Sequence, residues 1–449
     1  MGTKAALIIT PYFAPQSHAA VFRAYKLAKY LPDFGWKPYV LTVDTNYLYN
    51  EDRSLVEALP PEVEVLAARY IEPSLRGLRM ALGGKNRTFA TLKGSVATKN
   101  EKNGMSNGNG RSHHGLARGF YQYMLDRWLQ NPDAYWTWRE PAVRRAARLI
   151  RERDIRLVFT SANPFTSHSI GRALQRKGCR WVADIRDPHT YCARNCSGNA
   201  KVFQHQREIE REAIVHADAI TVTSAASGMI LTDMYGLHST DRIHFIPTGL
   251  DESLLPRSSS MSPETKPQLL FTGEVLPEYG SEFLEIFANT AARPDLQNTP
   301  WKLVFAGRRE INEPLVRPIA ERLGIATRVE FVDHVPQQEL YRMLSESAAA
   351  VLISGRMFRW WCLYAKMVDY IALKKPVVAL VPNPSEARTR LEEARLGIFL
   401  DGDVNQSADT LADFLAGRTQ RVEPDEAVCS RYTAQQQVQS FVDLFDKVL

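Results

Sequence analysis

The sequence predicts an α/β protein built from two doubly wound, Rossmann-like halves. Three observations lead there. Short apolar, β-branched runs alternate with amphipathic stretches of helical length along most of the 449 residues, as in parallel strands joined by crossover helices. The alternation occurs twice, once before and once after a Ser/Pro-rich stretch from Ser258 to Pro267, whose composition is that of a linker. A chain of this length is expected to form two or three domains. The boundaries read from the sequence are 1–256 for the first half, 257–267 for the linker and 268–430 for the second half. A terminal helix at 431–449 is expected to pack back on the first half.

In the first half, Ala5 to Ile9 reads as a strand and Val21 to Leu31 as a helix stopped by Pro32 and Gly35. Strands follow at Tyr39 to Val43 and Val63 to Ala68. This is a βαβ opening with a polar loop, Tyr12 to Ala20, after strand 1, where open α/β sheets bind ligands. A Gly-x-Gly-x-x-Gly fingerprint is absent there, which disfavours an ordinary NAD site. From Ser74 to about Asp133 the alternation breaks. An insertion of about 84–115, rich in Gly, Asn, Ser and Lys, reads as disordered. The alternation resumes with a basic helix from Pro141 to Arg153. Strands at Arg156 to Ser161, Trp181 to Asp184, Ala219 to Ser224 and Ile243 to Pro247 complete this half, with helices between them.

In the second half, strands are expected at Gln268 to Thr272, Trp301 to Ala306, Val329 to Val332, Ala348 to Ile353, Pro376 to Val381 and Ile398 to Leu400. Its centre of interest is Gly355 to Pro382: a polar aromatic loop, a helix from about Tyr364 to Leu373, then a buried strand. Lys366, Asp369 and Tyr370 fall at i, i+3 and i+4 and share one helix side. A lysine in the first helical turn opposes the helix dipole unless an anion meets it there. A diphosphate accounts for it; a solvated lysine with an Asp cap nearby is the competing reading.

Composition narrows the function classes. A net charge of +6 is small for this length and does not suggest nucleic-acid binding. Five cysteines, few and odd in number, fit a reduced, cytoplasmic chain. Cys192 and Cys196 with His189 and His205 match no common zinc spacing, so no metal is expected. No run approaches 18 apolar residues, so no spanning helix is expected. Strand 1 begins almost at once, which argues against a cleaved leader, and Ala6 stands where a myristoylation site needs Ser or Thr.

Six ordered motifs in the first half resemble those of GT-B glycosyltransferases. The closer resemblance is to the retaining, family 4-like group that builds bacterial capsules, O-antigens and exopolysaccharides. They are Pro11-Tyr-Phe-Ala-Pro15 with Arg23 and Leu27-Ala-Lys-Tyr-Leu31; Pro132-Asp133 with Trp138 and Ala142; Ser161-Ala-Asn-Pro164 with Ser167-His168; Trp181 through Asp184-Ile-Arg186-Asp187-Pro188; Ala217-Asp218 through Ser224; and Ile246-Pro247-Thr-Gly249-Leu-Asp251. The second half adds Phe271-Thr-Gly273, Phe305-Ala-Gly307, Val329-Glu-Phe331 through Val335-Pro336, and Tyr364-Ala-Lys366-Met-Val-Asp369-Tyr370.

The resemblance implies a nucleotide-sugar donor on the second half and a saccharide acceptor, free or lipid-linked, on the first. It implies transfer in a cleft between them with retention of anomeric configuration. The nucleotide sugar is a substrate, and no cofactor is implied. The donor-side candidates are Gly273, Arg308, Arg309, Arg356, Lys366 for the diphosphate and Asp369 for the ribose. Arginine suits phosphate because its planar fork donates two bonds at once. Arg359 is a further candidate. His168, Asp184 and Asp187 are the catalytic candidates, and Ser17, His18, Arg23 and Arg186 the acceptor-side ones. The bland readings are a packed or helix-capping His168, a structural ion pair in the 184–187 group and a loop histidine at 18. The chain departs from the pattern at Trp361, where the family often has its first Glu; at Ser17-His-Ala-Ala20, where it often has Gly-Gly; and at Glu274, where a base is common.

A metal-independent glycosyltransferase of surface polysaccharide synthesis is therefore the first expectation. A non-catalytic nucleotide-sugar-binding or scaffold protein of the same fold is the second, and an epimerase the third. The flanks of the insertion add a localisation reading. Leu75, Leu78 and Met80 alternate with Arg76 and Arg79, and Phe120, Tyr121, Tyr123 and Trp128 gather near Arg118 and Arg127. That mixture suits peripheral contact with an anionic membrane at its cytoplasmic face; packing on the first half's core is the alternative.

Overall fold

The computed structural model describes residues 4–16, 18–44, 52–74, 131–192, 199–255, 266–354, 359–419 and 422–449. Ser17, Arg356, Cys196, the insertion with both flanks and most of the linker lie outside the described residues. The chain forms two compact units. The first comprises Met1–Thr223, Gly228–Ile246 and Val438–Leu449, the second Ser224–Ser227 and Pro247–Gln437.

The first unit holds a parallel seven-stranded sheet of β1 (Lys4–Ile9), β2 (Trp36–Val43), β3 (Glu64–Ala68), β4 (Leu157–Ala162), β5 (Arg180–Ile185), β6 (Ala219–Val222) and β7 (Ile243–Phe245). Their order is β3-β2-β1-β4-β5-β6-β7. The central strands are covered on both faces, which is why they read as unbroken apolar runs. Ala6 to Ile9 and Leu157 to Phe159 are all fully buried. Helices of eight residues or more are α1 (Phe22–Tyr30), α2 (Arg139–Arg153), α3 (Thr166–Gln175), α4 (Ala200–His216) and α5 (Ala225–Met234). On α2 the buried residues are Ala142, Val143, Ala146 and Leu149, one stripe at helical spacing. The Pro132-Asp133 motif acts at the start of α3. The Asp133 carboxylate accepts from Thr166 N and Thr166 Oγ1, each at 2.8 Å, and so satisfies a donor that the helix end leaves open.

The second unit holds a parallel six-stranded sheet of β8 (Lys266–Thr272), β9 (Lys302–Ala306), β10 (Val329–Val332), β11 (Ser347–Ile353), β12 (Val377–Leu380) and β13 (Gly397–Phe399). Their order is β10-β9-β8-β11-β12-β13. Its longer helices are α6 (Glu282–Ala291), α7 (Arg309–Arg322), α8 (Gln337–Glu346), α9 (Ala365–Ala372), α10 (Glu386–Glu393) and α11 (Val404–Leu415). Gly249 of the Ile-Pro-Thr-Gly motif passes so close to the Thr433 carbonyl that a Cβ would stand 2.0 Å from its oxygen. No other residue fits there.

The terminal helix α12 (Ala434–Val448) places its last turns in the first unit. Phe441 and Phe445, both fully buried, meet Phe159 and Trp36 at ring-centroid distances of 5.3 and 5.5 Å. Phe441 also covers Arg23, whose guanidinium carbon lies 5.1 Å from its ring centroid.

Arg23 and Asp184 correct two sequence expectations. Asp184, a catalytic candidate by sequence, is 0% exposed within β5, and Arg23, an acceptor-side candidate on α1, is 2% exposed. Arg23 Nε donates to both Asp184 oxygens at 3.0 Å, and Nη2 to Oδ1 at 2.9 Å. Ser161 Oγ and Thr221 Oγ1 complete the shell at 2.8 and 2.7 Å. With its acceptor sites so occupied, Asp184 has no free edge for a substrate, and Arg23 cannot reach an acceptor. The pair ties α1 to three adjacent strands.

Replacing Asp184 by Asn strands a buried guanidinium, and should lower the unfolding free energy by about 3–5 kcal/mol in urea melts. Burial alone would raise the Asp184 pKa, but the Arg23 charge and the hydrogen bonds from Arg23, Thr221 and Ser161 hold it below the ordinary value. The contribution is therefore complete above about pH 4 and is lost as pH falls through the depressed folded pKa. The parent-minus-variant difference should be level above about pH 5 and shrink in acid. No difference at neutral pH would show that the pair contributes nothing.

Candidate functional site

Both sheets reverse strand order beside their first strand, and in open α/β sheets ligands bind outside the strand ends at that point. In the first unit these ends are those of β1 and β4. Arg186, just past β5, joins their loops: Nε donates to the Ala162 carbonyl at 2.7 Å, and the two terminal nitrogens to Asn163 at 3.2 Å and Ala20 at 3.3 Å. An acceptor-side candidate by sequence, it serves here as a backbone organiser. His18 stands at the β1 loop, 3.3 Å from Gln16 Oε1 and edge-on to Tyr12. Burial, then the Arg186 charge, lower its pKa.

Below this loop is a small cavity of about 40 Å³, lined by Asn163, His168, Arg186, Asp187, His189 and Glu210 among others. His168 is 1% exposed. Its Nδ1 is 2.9 Å from Thr160 Oγ1, which accepts from Trp181 Nε1 at 2.7 Å. If the Thr160 hydroxyl donates to Nδ1, the hydrogens of Trp181 Nε1 and Thr160 Oγ1 both find acceptors, and the imidazole proton is left on Nε2. Nε2 is buried without a partner, as is Asn163 Oδ1. The cavity thus offers one donor and one acceptor, the pair that a hydroxyl or a water satisfies. Burial pushes the His168 pKa down to about 4, against the pull of Asp184. His168 is neutral at pH 7, suited to hydrogen bonding rather than to proton exchange near neutrality. Asp187 is exposed at the cavity's edge. Of the catalytic candidates, the fold brings His168 and Asp187 to one cavity and leaves Asp184 in the core.

In the second unit the reversal lies between β8 and β11; Gly273 follows β8, and Gly307 follows β9 on its other side. Gly273 has φ +93°, a left-handed conformation that glycine adopts freely. A Cβ on Gly307 would lie 2.3 Å from the Gly273 carbonyl oxygen, so the two turns touch backbone to backbone. Asn312 on α7, wholly buried, locks them. Its Nδ2 donates to Gly273 O at 2.9 Å, and its Oδ1 accepts from Val275 N at 2.8 Å. Sequence reading missed Asn312. Its one signal is a buried amide in the first turn of a helix, where an amide without a partner is unfavourable.

Arg308 lies beside Gly273, but its Nε donates to Glu274 at 2.6 Å. Arg309 is paired with Glu313 on its own helix. Both arginines are exposed, and their sequence-expected charge is already answered by carboxylates. Lys366 differs. It stands in the first turn of α9, whose N-cap, Tyr364, provides no side-chain cap. Its amine is buried without a hydrogen bond, 3.6 Å from the centroid of the Phe271 ring. The ring face compensates a cation in part, yet burial lowers the Lys366 pKa to about 7. It is not the solvated lysine of the bland reading. Asp369, one turn on, accepts from Tyr341 Oη at 3.3 Å. Tyr370, fully buried, bonds Thr272 Oγ1 at 2.8 Å and so fixes α9 against β8. Trp361, in place of the family's first Glu, is 6% exposed and part of the core. Among the described residues no group of three or more His, Cys, Asp or Glu is placed to hold a metal, and no helix is long and apolar enough to cross a membrane.

No protein-family model matches the chain, and no curated protein matches it. Solved structures do. Sucrose-phosphate synthase from Thermosynechococcus elongatus aligns with a TM-score of 0.61 at 14% identity, over 99% of each chain. Anabaena HepE, solved in complex with UDP, aligns at 0.57 and 14% identity, over 99% of this chain and 100% of its own. The lipopolysaccharide outer core galactosyltransferase WaaB in its apo form aligns at 0.55 and 11% identity, over 99% and 100%. These likenesses span both sheets and the returning helix, and the fold of this chain is GT-B.

Proposed function

We propose that this protein is a glycosyltransferase that takes a sugar from a nucleotide-sugar donor held by the second unit. The observation that carries this reading is the Lys366 amine, buried and unpartnered in the first turn of an uncapped helix. A helix N-terminus and a desolvated amine together favour an anion, and a leaving diphosphate develops negative charge as the glycosyl bond breaks. Asp369 accepts from ribose hydroxyls. The HepE complex with UDP, on the same fold, supports a nucleotide ligand. The acceptor is a saccharide, free or lipid-linked, met by the first unit, where the His168–Asn163 cavity receives a hydroxyl. Transfer proceeds with retention, without metal or cofactor, in surface polysaccharide synthesis at the cytoplasmic face of a membrane.

A second reading has its own support. Trp361 buried in place of a carboxylate, and Glu274 on Arg308, fit a protein that binds nucleotide sugar without transferring it. Product analysis separates the two: transfer yields a glycosylated acceptor, an epimerase yields an isomerised donor, and a binder returns the donor unchanged.

A thermal-shift screen across UDP-, GDP-, ADP- and dTDP-sugars should single out one nucleotide. At one hundred times the dissociation constant the stabilisation is about 2.7 kcal/mol. If none raises the melting temperature, the donor assignment is wrong.

Donor affinity should also depend on pH through Lys366. With a free-state pKa of about 7, the amine is increasingly neutral above that value, while the diphosphate selects the ammonium. Binding thus takes up a proton, and affinity falls as pH rises from about 6.5 toward 9. Calorimetry in buffers of different ionisation enthalpy reads this directly. Lys366→Met should lose about tenfold or more in affinity together with the proton uptake. Equal affinity in parent and variant at pH 6.5 would remove Lys366 from the site.

Asp369→Asn replaces an acceptor oxygen by a donor at one position. It should weaken binding of the free nucleoside diphosphate by about 1–3 kcal/mol with the melting temperature held. Equal calorimetric dissociation constants would show that Asp369 takes no part in nucleotide binding.

A further inference from the structure

Helix α2 differs from α4, α7, α8 and α10 in how it treats its own charge. On α4, Arg211 pairs with Glu208 and Glu212; on α7, Arg309 and Arg317 share Glu313; on α8, Arg342 pairs with Glu339 and Glu346. On α10, Arg388 and Arg390 pair with Glu392 and Glu393. Each surface is neutralised within a helical turn. Helix α2 carries six arginines against two glutamates, a net +4 in 15 residues of a chain whose total is +6. Among the described residues Arg144, Arg145, Arg148 and Arg151 are exposed and make no ion pair.

These arginines are aligned. At 100° per residue, positions 144, 148 and 151 fall within a 60° arc opposite the buried Ala142, Ala146 and Leu149, and span roughly 10 Å along the axis. Like charges at i, i+3 and i+4 repel and destabilise the helix, so nothing in folding selects this face. A partner that brings negative charge relieves it.

The surroundings favour a bilayer over a compact anion. An open groove of about 1030 Å³ begins at the amino end of α2, and Trp136, Arg139, Arg172, Arg176 and Lys177 stand along it. Within the groove Arg139 pairs with Glu140, and Arg172 and Arg176 with Glu212, while Glu208 is answered by Arg211, so the unpaired positive charge is that of the outer face of α2. The Trp136 indole is 42% exposed. A partly exposed indole beside arginines suits the headgroup boundary, where the ring meets the apolar edge and guanidinium groups stay among phosphates.

We propose that the outer face of α2, with Trp136 at its amino end, docks the protein on an anionic lipid bilayer. The docking rests on this charge pattern. Its purpose, to present a lipid-linked acceptor to the first unit, rests on the glycosyltransferase reading. Each basic residue at such a surface changes the partition coefficient by roughly fivefold, so three aligned arginines account for a factor on the order of 100.

The test is co-sedimentation of the full chain with vesicles of phosphatidylcholine alone and of phosphatidylcholine with phosphatidylglycerol. The parent should bind the anionic vesicles at low salt and release them as salt rises. The triple variant R144Q/R148Q/R151Q should lose binding on the order of 100-fold, while R144K/R148K/R151K keeps most of it. Arg211→Gln, taken from a self-paired helix, should change nothing. The triple Gln variant should melt no lower than the parent, since it removes repulsion. Four results overturn the proposal: no binding to anionic vesicles, equal binding to neutral ones, unchanged binding by the triple Gln variant, or equally tight binding to soluble dextran sulfate. A nucleotide-sugar titration of the triple variant keeps the two readings apart. Lost vesicle binding with intact nucleotide binding supports docking, and intact vesicle binding without nucleotide binding sinks only the donor assignment.

Discussion

The structure depends on one constraint: the central strands of both parallel sheets are covered on both faces. A strand so placed tolerates a polar side chain only when it is fully answered. Chemistry is therefore displaced to the strand ends, where the backbone ladder runs out and turns expose N–H groups and side chains. Gly273 and Gly307, the Ala162–Asn163 turn and the Arg186 loop are all strand ends. The exception, Asp184, shows the rule from the other side. It can sit within β5 because Arg23, Ser161 and Thr221 occupy its oxygens, and a carboxylate satisfied to that degree is bound to structure rather than to substrate.

Two buried charges make the contrast. Asp184 has a counter-charge and four kinds of donor contact, and its pKa is depressed. Lys366 has an aromatic ring and nothing else, and its pKa falls toward neutrality. The first arrangement is complete, the second incomplete. An incomplete arrangement at a helix start costs stability, and such costs collect where a ligand is to supply the missing group. His168 Nε2 and Asn163 Oδ1 in the first unit are a neutral version of the same incompleteness. The arginines of α2 are an exposed one, less costly because water answers them.

The amino-acid sequence by itself determined the two βα series, the strands and the long helices, because strand burial and helix amphipathicity are periodic in the chain. Val329–Val332 lies where its apolar run does, and α12 falls within the terminal helix expected at 431–449. It also singled out Lys366, since a cation in a first helical turn is a local anomaly; the glycine turns entered only through the motif resemblance. Tertiary structure alone decided which candidates are free. Arg23 and Asp184 are 161 positions apart, and no local pattern tells a carboxylate that meets substrate from one that meets a distant arginine. The same holds for Arg308, answered by Glu274, and for Asn312, whose two bonds close a turn 39 residues away. Periodicity records which face of an element is buried. Whether a polar group on it has a partner depends on distances between elements, which only the packed chain sets.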